Sequence, residues 1–320
     1  MDKEQIVREM IYEGRNTTIA NACRVTKGQR MILPIGPRRN EIVYYGYAKN
    51  APMLFAIHGG GFLLGGCAID DNLWCALRDA LKVNIISIGY HKTPDHIYPQ
   101  ALNDVYETII CIMKADESFL FDRNRVGVIG CSAGANLATV TAMKAKAEGH
   151  DYFKYQILIY PYVDLSTPAV KKGDEGRHAI SSQLYADLYL GKDPMGSNAL
   201  TDAGYAKDRQ KALDPKNPYI SPVYASAEEL KDLPKTLLSV CELDSFRGEG
   251  ERYARHLMEA GVPVITHLSE GVGHAFFERF YADEEYSSEG HRSQKKDKKE
   301  AALETPSRKL LSFIQSNLIW

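Results

Sequence analysis

Arg125-Val126-Gly127-Val128-Ile129, running directly into Gly130-Cys131-Ser132-Ala133-Gly134, is the stretch from which the fold can be read. The first part is short, apolar and β-branched, as a buried strand is, and helical spacing over 133–146 follows it. A serine between two glycines at such a junction sits on a turn too tight for flanking side chains. Its hydroxyl is thereby forced outward, near the positive end of the following helix. The competing reading is a small-residue turn that only packs helix on sheet. Strand, sharp turn and helix in succession favour Ser132 as a nucleophile.

Working outward, β-rich runs recur at 43–48, 53–58, 83–90, 155–160, 235–241 and 262–268. Helical patterns lie over 101–113, 248–260 and 306–317. Strands alternating with helices of this length predict an α/β protein, its mostly parallel sheet covered by helices on both faces. Ligands of such sheets bind beyond the C-terminal strand ends, so residues just after strands are the ones to examine. Two regions break the alternation: residues 1–36, and about 165–222, which is rich in Gly, Pro, Asp and Tyr and has a helical piece at 182–190. Segments this long are expected to form a cap over the strand ends of one domain covering 1–320.

Bulk properties exclude several classes. The chain has 320 residues, 44% hydrophobic and 25% charged, with a formal net charge of −2, so no overall field draws it to nucleic acid. The lysine-rich run 291–300 is broken by acidic residues and lacks aromatics to stack on bases, as a solvated face would be. No 18-residue apolar run predicts a membrane span, and the charged start, MDKEQIVREMIY, lacks the apolar core of a secretory signal. Six cysteines without a CxxC pair fit a reducing cytoplasm better than a disulfide scaffold. There is no internal repeat. Oligomeric state is not legible.

A second motif, His58-Gly59-Gly60-Gly61-Phe62, follows the strand at 53–58. Consecutive glycines let backbone N–H groups approach a substrate, as an oxyanion site requires. A phosphate loop fits poorly, because Leu64 stands where a dinucleotide fingerprint needs glycine, and no Gly-Lys-Ser/Thr follows. A serine nucleophile also needs a base and an orienting acid, in the chain order Ser, acid, His. His267 lies within a strand and His291 within the charged run, whereas His274 stands on a glycine-flanked loop after the last strand. Asp244 and Glu242 both lie near the end of the strand at 235–241; Asp244, further out in the loop, is favoured.

Together these residues resemble the hormone-sensitive-lipase-like family of α/β-hydrolase esterases. The family's His-Gly-Gly-Gly matches 58–61, and its Tyr-Arg-Leu-Ala-Pro-Glu-His stretch resembles Tyr90-His91-Lys92-Thr93-Pro94-Asp95-His96. Its nucleophile box, Gly-Asp-Ser-Ala-Gly-Gly, appears as Gly130-Cys131-Ser132-Ala133-Gly134-Ala135. Its acid box, Asp-Pro-Leu-Arg-Asp-Glu-Gly, appears as Asp244-Ser245-Phe246-Arg247-Gly248-Glu249-Gly250, and its His-Gly-Phe as His274-Ala275-Phe276. The resemblance implies an α/β-hydrolase fold with a helical cap, a triad of Ser132, Asp244 and His274, and oxyanion donors at Gly60, Gly61 and Ala133. Glu242 then drops out.

The implied activity is hydrolysis of short-chain acyl esters, the only partner being a small-molecule ester, with no metal or organic cofactor. An amidase or aryl formamidase would use the same triad, and a non-catalytic binding module of this fold would lose a triad member. Tyr185 and Tyr189, on the helical piece of the second segment, either line the substrate pocket or pack the cap. Cys131 and Gly248 replace carboxylates of the two boxes, which bears on substrate preference and pH behaviour.

Overall fold

The computed structural model describes residues 3–115, 119–192, 194, 213–282 and 294–320. The eight strands it contains are β1 (Gln29–Ile35), β2 (Arg38–Tyr45), β3 (Ala51–Ile57), β4 (Asn84–Ile88), β5 (Phe121–Cys131), β6 (Tyr155–Ile159), β7 (Lys235–Cys241) and β8 (Val264–Ser269). They form one sheet in the order β1-β2-β4-β3-β5-β6-β7-β8. β1 and β2 are antiparallel to their neighbours, and every pairing from β4 to β8 is parallel.

The helices are α1 (Lys3–Cys23), α2 (Asp71–Leu81), α3 (Gln100–Lys114), α4 (Ala133–Ala147), α5 (Gly176–Tyr189), α6 (Arg247–Glu259), α7 (Phe276–Tyr281) and α8 (Gln294–Asn317), besides shorter turns. Strand alternation sorts the core into two layers. Met53, Phe55 and Ile57 of β3 face a cluster that includes Val105 of α3, Leu137 of α4 and Leu257 of α6. Leu54 and Ala56 face Trp74 of α2 and Ile314 of α8. β3, β4 and β6 are buried along their whole length, which is why they read as unbroken apolar runs.

Several elements differ from the sequence expectation: β2 begins at Arg38 where a strand over 43–48 was expected, and α5 begins at Gly176 where the helical piece was expected at 182–190. Residues 1–36 are not all irregular, because 29–35 form the edge strand β1, whose short apolar run Met31–Leu33 is broken by Pro34 and whose side chains are only partly covered. α2 went unread in the sequence, although it buries Leu73, Trp74 and Leu77. The last helix starts at Gln294 and runs through Pro306, where a proline was expected at its first turn. Residues 291–293 of the lysine-rich run, and 193 and 195–212 of the segment at 165–222, lie outside the described residues. Within that segment, Leu184 and Leu188 of α5 pack with Ile6, Val7, Met10 and Ile11 of α1 and with Leu63, just after β3. No helix among the described residues is long and apolar enough to cross a membrane.

β4 lies on one side of β3 and β5 on the other, so the connections leave β3 and β5 in opposite directions and open a crevice beyond their C-terminal ends. Ile57 pairs with Gly130, which brings the 58–61 loop and the Ser132 turn out of the sheet side by side. The first turn of α4 is pressed against the end of β3: a Cβ on Gly134 would stand 2.1 Å from the Ile57 carbonyl oxygen. Backbone cannot retreat there as a flexible side chain would. Gly134→Ala is therefore expected to lower stability by about 1–3 kcal/mol, the usual cost of overpacking. A fall in the denaturant midpoint at unchanged slope would register it.

Candidate active site

Ser132 occupies the turn between β5 and α4 with φ 54° and ψ −119°, backbone angles that L-residues rarely adopt. Its N–H donates to Ile159 O at 2.9 Å, and its carbonyl accepts from Ala135 N and Asn136 N at 3.0 and 3.1 Å. The turn is pinned from both sides, and the side chain projects toward the loop after β8.

There the hydroxyl meets His274, whose Nε2 lies 2.8 Å from Ser132 Oγ. Nδ1 of the same ring lies 2.7 Å from Asp244 Oδ2. A carboxylate facing Nδ1 keeps the proton on that nitrogen and leaves Nε2 to accept from the serine. Asp244 is itself fixed, its other oxygen accepting from Phe246 N at 2.9 Å and its side chain only 2% exposed. The structure thus brings Ser132, His274 and Asp244 into one hydrogen-bonded line. Glu242 takes a different place: its carboxylate accepts from Gly271 N at 2.7 Å and braces the histidine loop from outside. His267 packs against Phe313, remote from this line, and His291 lies outside the described residues.

The 58–61 loop lies alongside. His58 is buried and stacked on Tyr90 with ring centres 4.2 Å apart, and its Nδ1 contacts Gly59 O at 2.7 Å. Burial pushes this imidazole down to about 3, so it is neutral and ties the loop by donating to Gly59 O. Beyond it, the carbonyl of Gly60 accepts from Leu63 N and Leu64 N, while the N–H groups of Gly60 and Gly61 have no hydrogen-bond partner among the described residues. Ala133 is the first residue of α4, where N–H groups lack an intrahelical acceptor. The loop that carries the two glycine donors lies beside the serine turn, a Cβ on Gly59 standing 3.6 Å from Ser132 Cβ.

The two tyrosines of α5 part company. Tyr185 lies on Gly61, which has φ +59° and no room for a side chain: a Cβ there would stand 2.3 Å from the Tyr185 ring. Tyr189 takes the packing alternative and does not line a pocket: it is fully buried, stacked on Phe62 at 3.9 Å and edge-on to Tyr98. It supports the loop from behind.

Aromatic walls around His274 had no signal in the sequence, because they come from distant segments. Tyr160, just after β6, and Phe246, ahead of α6, stand edge-on to the imidazole at 5.1 and 4.9 Å. Phe246 is stacked on Tyr162, and Lys172 Nζ lies over both rings while pairing with Glu249 at 2.5 Å. Glu249 in turn accepts from Val163 N at 2.7 Å. This buried ion pair, together with Arg252 on Asp164 at 2.7 Å, fastens the segment after β6 to α6, directly behind the histidine.

Comparison with known proteins agrees with the fold. A family model described as alpha/beta hydrolase fold matches residues 54–278. A putative alpha/beta hydrolase of Acanthamoeba polyphaga mimivirus is 29% identical over 72% of this chain and 62% of its own length. An arylesterase of Saccharolobus solfataricus is 27% identical over 71% of this chain and 69% of its own. The chain thus spans about two thirds of the length of these curated relatives. Among solved structures, a hyperthermophilic esterase from Pyrobaculum calidifontis superposes with a TM-score of 0.70 at 24% identity, covering 97% of this chain and 92% of that one. At that identity the likeness speaks for the fold.

Cys131, next to the serine, is the rival nucleophile, since thiols are intrinsically the more reactive. It is fully buried in the wall of the turn, and burial together with nearby Glu278 pushes its thiol well above the ordinary range. It stays protonated, and a thiol is inert where a thiolate would attack. Ser132→Ala is expected to cost at least about a thousandfold in kcat, the scale of losing a triad nucleophile. Cys131→Ala should cost no more than about tenfold. Steady-state kinetics of the two variants on one ester check the assignment, which the reverse order would overturn.

Proposed function

The chain belongs to the α/β-hydrolase fold family, in its hormone-sensitive-lipase-like branch, and from that footing we propose that it is a serine esterase acting on short-chain acyl esters. The observation that carries this reading is the line Asp244–His274–Ser132, at 2.7 and 2.8 Å, ending beside unpartnered backbone donors.

The proposed reaction runs in two halves. His274 Nε2 takes the Ser132 proton as Oγ attacks the ester carbonyl, and Asp244 stabilises the imidazolium that forms. The N–H groups of Gly60, Gly61 and Ala133 hold the oxyanion of the tetrahedral intermediate, each such donor being worth about 3–4 kcal/mol by deletion. His274 then protonates the leaving alcohol, and an acyl-enzyme remains on Ser132. Water, deprotonated by the same imidazole, attacks that acyl group and frees the acid.

Preference for short acyl groups is supported by the motif kinship and by Tyr185, whose ring on Gly61 puts a bulky wall at the oxyanion side of the nucleophile. A series of p-nitrophenyl esters from acetate to dodecanoate should show kcat/KM highest at the short end. A maximum at decanoate or beyond overturns the chain-length part. Faster turnover of p-nitroacetanilide than of p-nitrophenyl acetate overturns the ester reading in favour of an amidase.

A further inference from the structure

Behind the oxyanion loop lies a carboxyl group for which the reaction above has no use. Glu278 stands in α7, one helical turn after His274, with its side chain mostly withdrawn from solvent. Its carboxyl accepts from the Tyr160 hydroxyl and lies close to the Cys131 thiol. It also lies against Gly59, where a Cβ would stand 3.3 Å from Glu278 Oε1 and 3.6 Å from the Cβ of Ser132. Tyr160 is the residue whose ring packs edge-on against His274. One carboxyl therefore reaches the oxyanion loop, the nucleophile turn and the wall of the histidine.

Cys131 closes β5 directly before Ser132, and the carboxyl nearest its thiol comes from another element. Resting on the reading of Ser132 as nucleophile, we propose that Glu278 is a positioning residue for the chemistry at Ser132, bracing from α7 the turn that carries the serine.

The protonation state of Glu278 follows from its surroundings. Facing it are Cys131 at the end of β5, Tyr160 after β6, Asp70 just ahead of α2 and, from its own helix, Arg279. Burial, with Asp70 adding to it, pushes the Glu278 carboxyl up to about 8, against a smaller opposing pull from Arg279. Asp70 is pushed up to about 7, again by burial. At neutral pH Glu278 is thus mostly uncharged and leaves the oxyanion site free of a competing anion. As pH rises past about 8 it ionises beside the loop where negative charge must develop on the substrate, and turnover falls.

The test compares wild type, Glu278→Gln, Glu278→Ala and Ser132→Ala on p-nitrophenyl acetate from about pH 6 to 9, with thermal unfolding of each. Glutamine keeps the acceptor for Tyr160 and has no charge to gain. It should hold kcat within about threefold of wild type at pH 7 and abolish the alkaline decline of kcat/KM. Alanine should lose about tenfold or more in kcat, with KM changed less. An alkaline decline that persists unchanged in Glu278→Gln overturns the proposal, as does a folded Glu278→Ala with wild-type kcat. If alanine does not fold, the pH profile of the glutamine variant decides. Failure of the esterase reading looks different: wild type then shows no turnover, or Ser132→Ala retains it, and both readings fall together.

Discussion

The left-handed backbone at Ser132 is the constraint on which the site depends. Holding a non-glycine residue at φ 54° costs about 1–3 kcal/mol, and such a conformation persists only where its surroundings over-determine it. The surroundings here are the central strands of the sheet. Ser132 N is tied to the carbonyl of Ile159 at the end of β6, and α4 begins hard against the end of β3. The strain is thus borne by the most deeply buried part of the fold. A side chain presented in this way needs no induced movement to face an incoming carbonyl.

Around that fixed point the remaining groups are supplied by loops, and each loop is tied down by polar contacts. The 58–61 loop is anchored by a neutral His58, the acid loop by the amide of Phe246 on Asp244, and the histidine loop by Glu242 on Gly271. The Lys172–Glu249 pair differs in kind. Two charges withdrawn from water lose much of their attraction to desolvation, so the pair adds little stability. It nonetheless joins the segments behind His274, and burial raises the Glu249 carboxyl to about 7 against the opposing pull of Lys172.

How much of this was legible depended on whether a signal was local. Gly130 and Gly134, on either side of Ser132, mark a turn whose geometry is decided within a few residues, and Ser132 could be singled out from them. The buried strands were legible because a strand covered on both faces must be apolar throughout. β1 was not, since on this edge strand Pro34 follows a run of only three apolar residues, Met31–Leu33, and no alternation marks the face that packs. Tyr160 and Phe246 were invisible as walls of a histidine because they are 86 residues apart in the chain and meet only through the sheet order. Tyr189 shows the converse limit. Helical spacing placed it near Tyr185, but cannot say that one ring lies on a glycine and the other inside the core.

If Gly60 and Gly61 supply the proposed oxyanion donors, the contact between Tyr185 and Gly61 has a kinetic consequence. α5 is packed to α1 and through Leu63 to the stem of the oxyanion loop, so these parts form one body resting on the sheet. Any excursion that lifts this body to admit a reactant also takes Tyr185 off Gly61 and lets bulk water reach the two amides. Resettling expels that water and restores the low-dielectric surroundings in which such dipoles act strongly. Admission and activation are then two ends of a single motion, and an enzyme caught half open would be wet, accessible and slow.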